Sequence, residues 1–181
     1  MKLRIALPLL VAAVTLSACV SQSTYKQEVA KADTYQQLNS RLQSEIAADQ
    51  AQITQLQNVV RVSLANGILF PEGGWELNAC GKATVAKLAP VLKTLSGQTI
   101  QLKGYTDNLP IGPELRSRFP SNVELSKARA QAVASELVAQ GVAGSMISVA
   151  GFGDADPVAS NDTPQGRAKN RRVVMDIVKA K

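Results

Sequence analysis

The 181-residue chain contains no histidine. That removes the usual general base near neutral pH, the commonest zinc ligand and every Ser–His or Cys–His dyad. A hydrolase would have to work with carboxylates or lysine, and no paired carboxylates fall in a recognisable catalytic motif. Nothing in the pattern asks for a metal or a cofactor, and the chain reads as non-catalytic. Cysteine is nearly as scarce. Cys19 and Cys80 are the only two, too few for a disulfide framework. Aromatic residues make up 4% of the chain, so the core must rest on Leu, Val, Ile and Ala. The formal charge of +6 falls to +4 once Lys2 and Arg4 are set aside with a leader segment. That balance is too mild to argue for nucleic acid. The basic run "GRAKNRR" (166–172) has no interleaved aromatics and leads straight into a strand, which argues the same way.

The first residues read "MKLRIALPLLVAAVTLSAC". Lys2 and Arg4 form a positive start. Ile5 to Leu16 form an apolar stretch, too short to span a bilayer, which needs about 20 residues. The pattern is that of a signal peptide over 1–18. Its end, Leu16-Ser17-Ala18-Cys19, resembles the bacterial lipobox. That resemblance implies a lipid on Cys19, palmitate among its chains, and Val20 in the next position favours the outer membrane. More than one acyl chain gives stable anchoring where one is marginal.

From Val20 to Asn66 there is neither Gly nor Pro. Good helix formers dominate, so residues 19–59 read as a helical stalk. One heptad frame places Tyr25, Ala32, Asn39, Ile46, Ile53 and Val60 at one seam position, and Tyr35, Leu42 and Leu56 at the other. Glu28 and Asp49 are faults in it. The stretch fits a solvated single-helix tether or a weak coiled coil that makes a homo-oligomer. As a helix of some 40 residues it would reach ~60 Å.

The pattern changes from residue 60. "VRVSLANGILF" alternates and then runs apolar, with Asn66-Gly67 as a turn or bulge. Residues 79–95 are helical in spacing, with Pro90 bending them. "QTIQLKGY" (98–105) alternates like a strand. Ser121-x-x-Glu124 opens a helix that Gly141 stops. Residues 146–152 read as a strand, Thr163-Pro164 starts a short helix, and "RRVVMDIVK" closes with a strand. The order β-α-β-α-β-α-β makes an α/β (α+β) domain over 60–181, with helices on one mostly parallel sheet.

Two charged residues stand out. Asp107 sits at a strand mouth, and Arg129 stands beside the apolar stripe of the 121–140 helix. Asp107 could cap a turn. Arg129 could be a snorkelling surface arginine or half of an internal ion pair. Cys80 would be an inert half-buried thiol or an intermolecular disulfide partner.

The pieces "ILFPEGGWEL", "GYTDN", "NVELSKARAQAV", "VAGFGDADPVASN" and "TPQGRAKNRRV" occur in an order and spacing that resemble the OmpA-like peptidoglycan-binding domain, a family that includes Pal lipoproteins and the flagellar stator protein MotB. The loop from Asp107 to Asn122 is longer than in Pal-type members and resembles the MotB-like branch. The resemblance implies a single mixed sheet and non-covalent binding of the peptidoglycan stem peptide through its diaminopimelate residue. Asp107 matches the acid of the family's T-D-N motif and would accept from the ligand ammonium. Arg129 matches the arginine of L-S-x-x-R-A and would grip the carboxylate with two parallel hydrogen bonds. Asn122, Thr106 and Leu125 are further contact candidates. Phe70 lies in the first loop, and Asn170 in "GRAKNRR" is a weaker candidate. One of the arginines in that run is expected to pair inside the fold, with Asp107 or Asp154. Together these imply an outer-membrane lipoprotein facing the periplasm that tethers envelope to wall. The rival is a coiled-coil envelope scaffold whose domain docks a protein partner.

Overall fold

The computed structural model describes residues 22–180. The expected signal peptide and the lipidation site Cys19 lie outside them. In chain order the elements are α1 (Gln22–Arg41), α2 (Gln43–Ala47), β1 (Ala51–Leu56), β2 (Val59–Ala65), α3 (Asn66–Leu69), α4 (Ala79–Leu92), β3 (Gln98–Tyr105), α5 (Pro113–Arg116), α6 (Asn122–Ala139), β4 (Ile147–Gly151), α7 (Pro164–Asn170) and β5 (Arg172–Lys179). The expected alternation over 60–181 is present. Asn66-Gly67 opens the helical turn α3 rather than a bulge, and α5 is a short addition inside the long loop.

The five strands form one mixed sheet in the order β1-β2-β5-β3-β4. Only β3 and β4 are hydrogen-bonded in parallel; the other pairs are antiparallel. A mostly parallel sheet is therefore not what forms. The helical crossovers do make β2, β3 and β4 run the same way, as βαβ units require. The last strand then inserts between β2 and β3 in the opposite direction. Its nearly continuous apolar run, RVVMDIVK, suits that central place.

Alternation along the strands sorts their side chains. Val62, Leu64, Ile100, Leu102, Val173, Met175 and Ile177 pack against Val85, Leu88 and Leu92 of α4 and Val133 and Leu137 of α6. The helix ends are chemically marked. Asn78 caps α4 by accepting from the Gly81 amide at 2.7 Å. Thr163 caps α7 by accepting from the Gly166 amide at 3.0 Å. Beyond α6, Gly141 takes φ +90°. Its amide donates to Val138 and the Val142 amide donates to Leu137, a paired closure that suits glycine at this position.

The stalk expectation needs correcting in two ways. The helical stretch stops at Ala47, and Asp49 turns the chain with φ 56°. Residues 51–56 are the edge strand β1, zipped antiparallel to β2. The alternation in AQITQL, paired to a ready neighbour, overrides a helical pattern that was already faulted at Asp49. Secondly, α1 docks on the domain. Leu38 and Leu42 have no exposed surface and belong to the main core, and Lys87 of α4 pairs with Glu45 of α2 at 2.5 Å. Tyr25 and Val29 remain exposed.

On the other face of the sheet one buried carboxylate joins three strands. Asp176 of β5 accepts from Arg61 Nε at 2.6 Å, from Arg61 Nη2 at 2.8 Å and from Lys103 Nζ at 2.8 Å. Burial alone would raise its pKa. The hydrogen bonds and charges of Arg61 and Lys103 outweigh that and hold the carboxyl below its ordinary value.

Two outcomes are expected. Leu38→Ala should destabilise the protein by about 2–5 kcal/mol in chemical denaturation; a change near zero would mean that α1 is a free tether. Because the folded pKa of Asp176 is depressed, its stabilisation is present above the ordinary carboxylate range and is lost as pH falls through the folded value. Asp176→Asn should therefore lower stability at neutral pH by about 2 kcal/mol, less than a wholly buried pair because Arg61 is partly in water. It should also flatten the acid limb of the stability–pH curve, and parallel curves for the two proteins would show that Asp176 is not the linked group.

Candidate ligand-binding site

The site is assembled where β3 ends and α6 passes over it. Gly104 near the end of β3 has no room for a side chain, since a Cβ there would collide with the Ser126 carbonyl of α6. Ser126 is fully buried; its hydroxyl donates to Val123 O and accepts from the Gly153 amide at 3.0 Å. The Thr106 amide donates to Gly153 O at 2.6 Å. These contacts bring the 105–109 turn, the first turns of α6 and the 152–153 segment together.

Asp107 is buried at 7% exposure. Its Oδ2 accepts from Arg171 Nη1 at 2.6 Å, and its Oδ1 accepts from the Leu109 amide at 3.2 Å. The expected internal partner from the basic run is thus Arg171, next to the start of β5. Arg171 is the residue that sequence motifs left unassigned between several arginines.

Arg129 is equally buried, at 7% exposure. Its Nε donates to Gly74 O at 2.9 Å, and its guanidinium carbon lies 5.8 Å from the Phe70 ring centre. It makes no ion pair among the described residues. Burial first, and the charge of Arg171 second, pull its pKa down to about 10, while Asp107 acts weakly the other way. It stays cationic at neutral pH. So Asp107 and Arg129 are brought together, but the carboxylate is tied to Arg171 and the second guanidinium is left over. The three charges sum to +1, and the arrangement is suited to receiving an anion.

The remaining candidates fall into different roles. Asn122, half-buried at the start of α6, donates from Nδ2 to Leu109 O at 3.0 Å and so braces the turn that holds Asp107. The Thr106 hydroxyl donates to Asp107 O at 2.8 Å and is buried. Leu125 packs in a small apolar cluster with Ile111 and Phe119. Phe70 is 4% exposed, so it forms a floor under Arg129 rather than the loop contact expected of it. Asn170 is wholly buried. Its Oδ1 accepts from the Val158 and Ala159 amides, and its Nδ2 donates to Ala159 O and Asn161 Oδ1. All its polar capacity holds the 158–161 loop, which corrects its place as a ligand contact. Gly74 and Trp75 lie within the motif ILFPEGGWEL but were given no role; the only tryptophan of the chain, set in a Gly-rich loop, was the available signal.

Two other concave regions do not include this site. A cleft of about 640 Å³ on the open sheet face is lined by Arg61, Lys103, Tyr105 and Arg172. Its cations are already engaged, Arg61 and Lys103 by Asp176 and Arg172 by the Asn170 and Asp156 carbonyls. The other, about 810 Å³, lies between α1 and the opposite end of the sheet. Among the described residues no three His, Cys, Asp or Glu side chains gather as metal ligands would.

Residues 69–171 match the family model for the OmpA family. The chain belongs to the OmpA family. The match spans both Asp107 and Arg129, along with Gly74, Asn122 and Arg171. Peptidoglycan-binding protein ArfA of Mycobacterium tuberculosis (strain ATCC 25618 / H37Rv) is 40% identical over 118 residues, 65% of this chain and 34% of its own. Probable lipoprotein YiaD of Escherichia coli (strain K12) is 34% identical over 134 residues, 74% of this chain and 58% of its own. The chain thus spans about a third to somewhat over half the length of these relatives. Among solved structures, the cell wall anchor of the T6SS from Pseudomonas aeruginosa superposes with a TM-score of 0.70 at 30% identity. That overlap covers 80% of this chain and 97% of the other.

Asn170→Ala should loosen the 158–161 loop, with faster amide exchange there and a loss of about 1–3 kcal/mol in stability. Unchanged exchange at Val158 and Ala159 would show that Asn170 does not hold the loop.

Proposed function

We propose that this OmpA-family protein binds the peptidoglycan stem peptide non-covalently and so holds the envelope to the cell wall. Arg129 grips a carboxylate of the diaminopimelate residue through its two terminal nitrogens. Asp107 accepts from the ammonium of the same residue on Oδ1, which the fold engages with one backbone amide only. The observation that carries the reading is the cation of Arg129, buried and without an ion-pair partner among the described residues. Buried charges in folded proteins are normally paired, and a ligand carboxylate supplies the pair. The likeness to ArfA, a protein named for peptidoglycan binding, supports the same ligand.

The layout also suits a tether. The Lys31 ammonium donates to Gln57 O at the β1–β2 turn. That turn lies by the start of β3 and the end of β5, whereas Asp107 follows the other end of β3. Over the eight residues of β3 the two ends stand roughly 25 Å apart. A lipid on Cys19, the anchor read from the lipobox and in keeping with the likeness to YiaD, leaves the Asp107–Arg129 end facing away from the outer membrane. Docking of α1 shortens the spacer. Only the exposed part before Lys31 adds reach, roughly 15 Å at 1.5 Å per residue. The exposed Tyr25 and Val29, one helical turn apart, are where a second copy could pair.

Co-sedimentation of the full chain with purified sacculi, competed by free diaminopimelate, tests the site. Arg129→Lys and Asp107→Asn should each weaken binding by about 2–5 kcal/mol, the usual penalty for breaking a desolvated charge pair. Cys19→Ala should release the protein from membranes without altering sacculus binding. Wild-type sedimentation of both site variants, with their folds intact, would remove the proposed mechanism.

A further inference from the structure

Beside Arg129 stands a second wall that carries a cation, Arg118, lying outside the motifs of the sequence. It is made by the long loop from Asp107 to Ser121 and the loop that carries Gly74. Ile111 and Phe119 are buried with Leu125 of α6 in a cluster separate from the main core, and Trp75, Leu115 and Ala128 pack on it. Phe119 meets Trp75 edge-on, with ring centres 5.3 Å apart. Trp75 follows Gly74, whose carbonyl holds Arg129, and Leu125 is one turn before Arg129 on α6. The wall is therefore continuous with the Arg129 site.

Arg118 lies on this wall, its guanidinium carbon 4.5 Å from the centre of the Trp75 ring and 6.0 Å from that of Phe119. It is exposed and makes no ion pair among the described residues, although Glu114 stands four residues earlier on the same loop. A guanidinium held against an aromatic face keeps its N–H donors available at its edge, which an ammonium cannot do. Fixing it on a packed loop also removes part of the ordering cost of binding. Two guanidiniums, Arg129 and Arg118, thus flank the Gly74-Trp75 pair, and neither has a carboxylate of its own.

The geometry points to Arg118 as a specificity residue that takes a second carboxylate of the ligand held by Arg129. The inference rests on the reading of Arg129 as the primary carboxylate grip. The site then selects stem peptides with two neighbouring free carboxylates over those in which one is amidated.

The test uses the full chain and two soluble probes. One is the tripeptide alanyl-γ-D-glutamyl-diaminopimelate with its C-terminal carboxyl amidated, so that its two free carboxylates are the glutamate α-carboxyl and the side-chain carboxyl of diaminopimelate; the other is the same peptide with the glutamate α-carboxyl also converted to an amide. Affinities come from calorimetric titration, and fluorescence of the only tryptophan, Trp75, reports occupancy of the wall. The wild type should bind the diacid about ten-fold more tightly, the worth of one charge-assisted hydrogen-bonded contact. Arg118→Gln should erase that preference by weakening the diacid alone, and Arg118→Lys should restore it only in part. Equal wild-type affinities would overturn the inference while leaving the Arg129 site standing. So would an equal loss for both probes in Arg118→Gln, which would make Arg118 a cover for Trp75. Binding of neither probe would overturn the Arg129 reading and this one with it.

Discussion

At Gly104 there is no space for even one carbon of side chain, because the backbone of α6 lies directly on the last residues of β3. The geometry of the candidate site follows from that approach. Ser126, at the contact, fastens α6 to Gly153, and Arg129 comes one helical turn later. Asp107 comes three residues after Gly104, past a Thr106 amide tied to the same Gly153. Two residues far apart in sequence are thus set by one close packing contact between a helix and a strand. A larger residue at 104 would push α6 off the sheet and carry Arg129 with it.

That placement gives the site its electrostatic character. Two guanidiniums and one carboxylate share a partly desolvated corner. Arg171 neutralises Asp107, and the field that Arg129 feels is dominated by burial and by like charge. Such a group is retained at a stability cost unless something offsets it. Phe70 beneath and Gly74 O beside it hold the side chain in one orientation, so its remaining donors are pre-arranged for a flat, two-oxygen acceptor. Asn122 and Thr106 act at one remove, by fixing the turn on which the Asp107 carboxylate stands.

Much of this was legible in the sequence. The motifs around Asp107 and Arg129 are local, and so are the caps of α6 and α7, which depend on residues three apart. The αL stop at Gly141 was equally readable. What escaped reading is non-local. The insertion of β5 between β2 and β3 is a pairing between the chain's last strand and strands about 70 and 110 residues earlier, and no periodicity encodes it. AQITQL could be read as a continuing helix because strand propensity is expressed only beside a partner. Asn170 looked like a free amide in a basic run, whereas the loop it holds exists only once α7 is folded. Phe70 was an aromatic in a loop until α4 and α6 closed over it.

Docking of α1 changes how load would pass through such a tether. On the proposed reading, with an anchor at the N-terminal end and a ligand at the far end of β3, tension would enter through α1 and leave through α6 and the 105–109 turn. Between them lies the main core, where Leu38 and Leu42 interlock with residues of the sheet and of α4. The strands run along the line between the two ends, so such tension would pull many ladder hydrogen bonds in shear rather than open them one at a time. Asp176, joined to Arg61 on β2 and Lys103 on β3, ties β2 and β5 to the strand that leads into Asp107. A carboxylate on the sheet face away from α6 thereby serves the candidate site by keeping three strands in register under it.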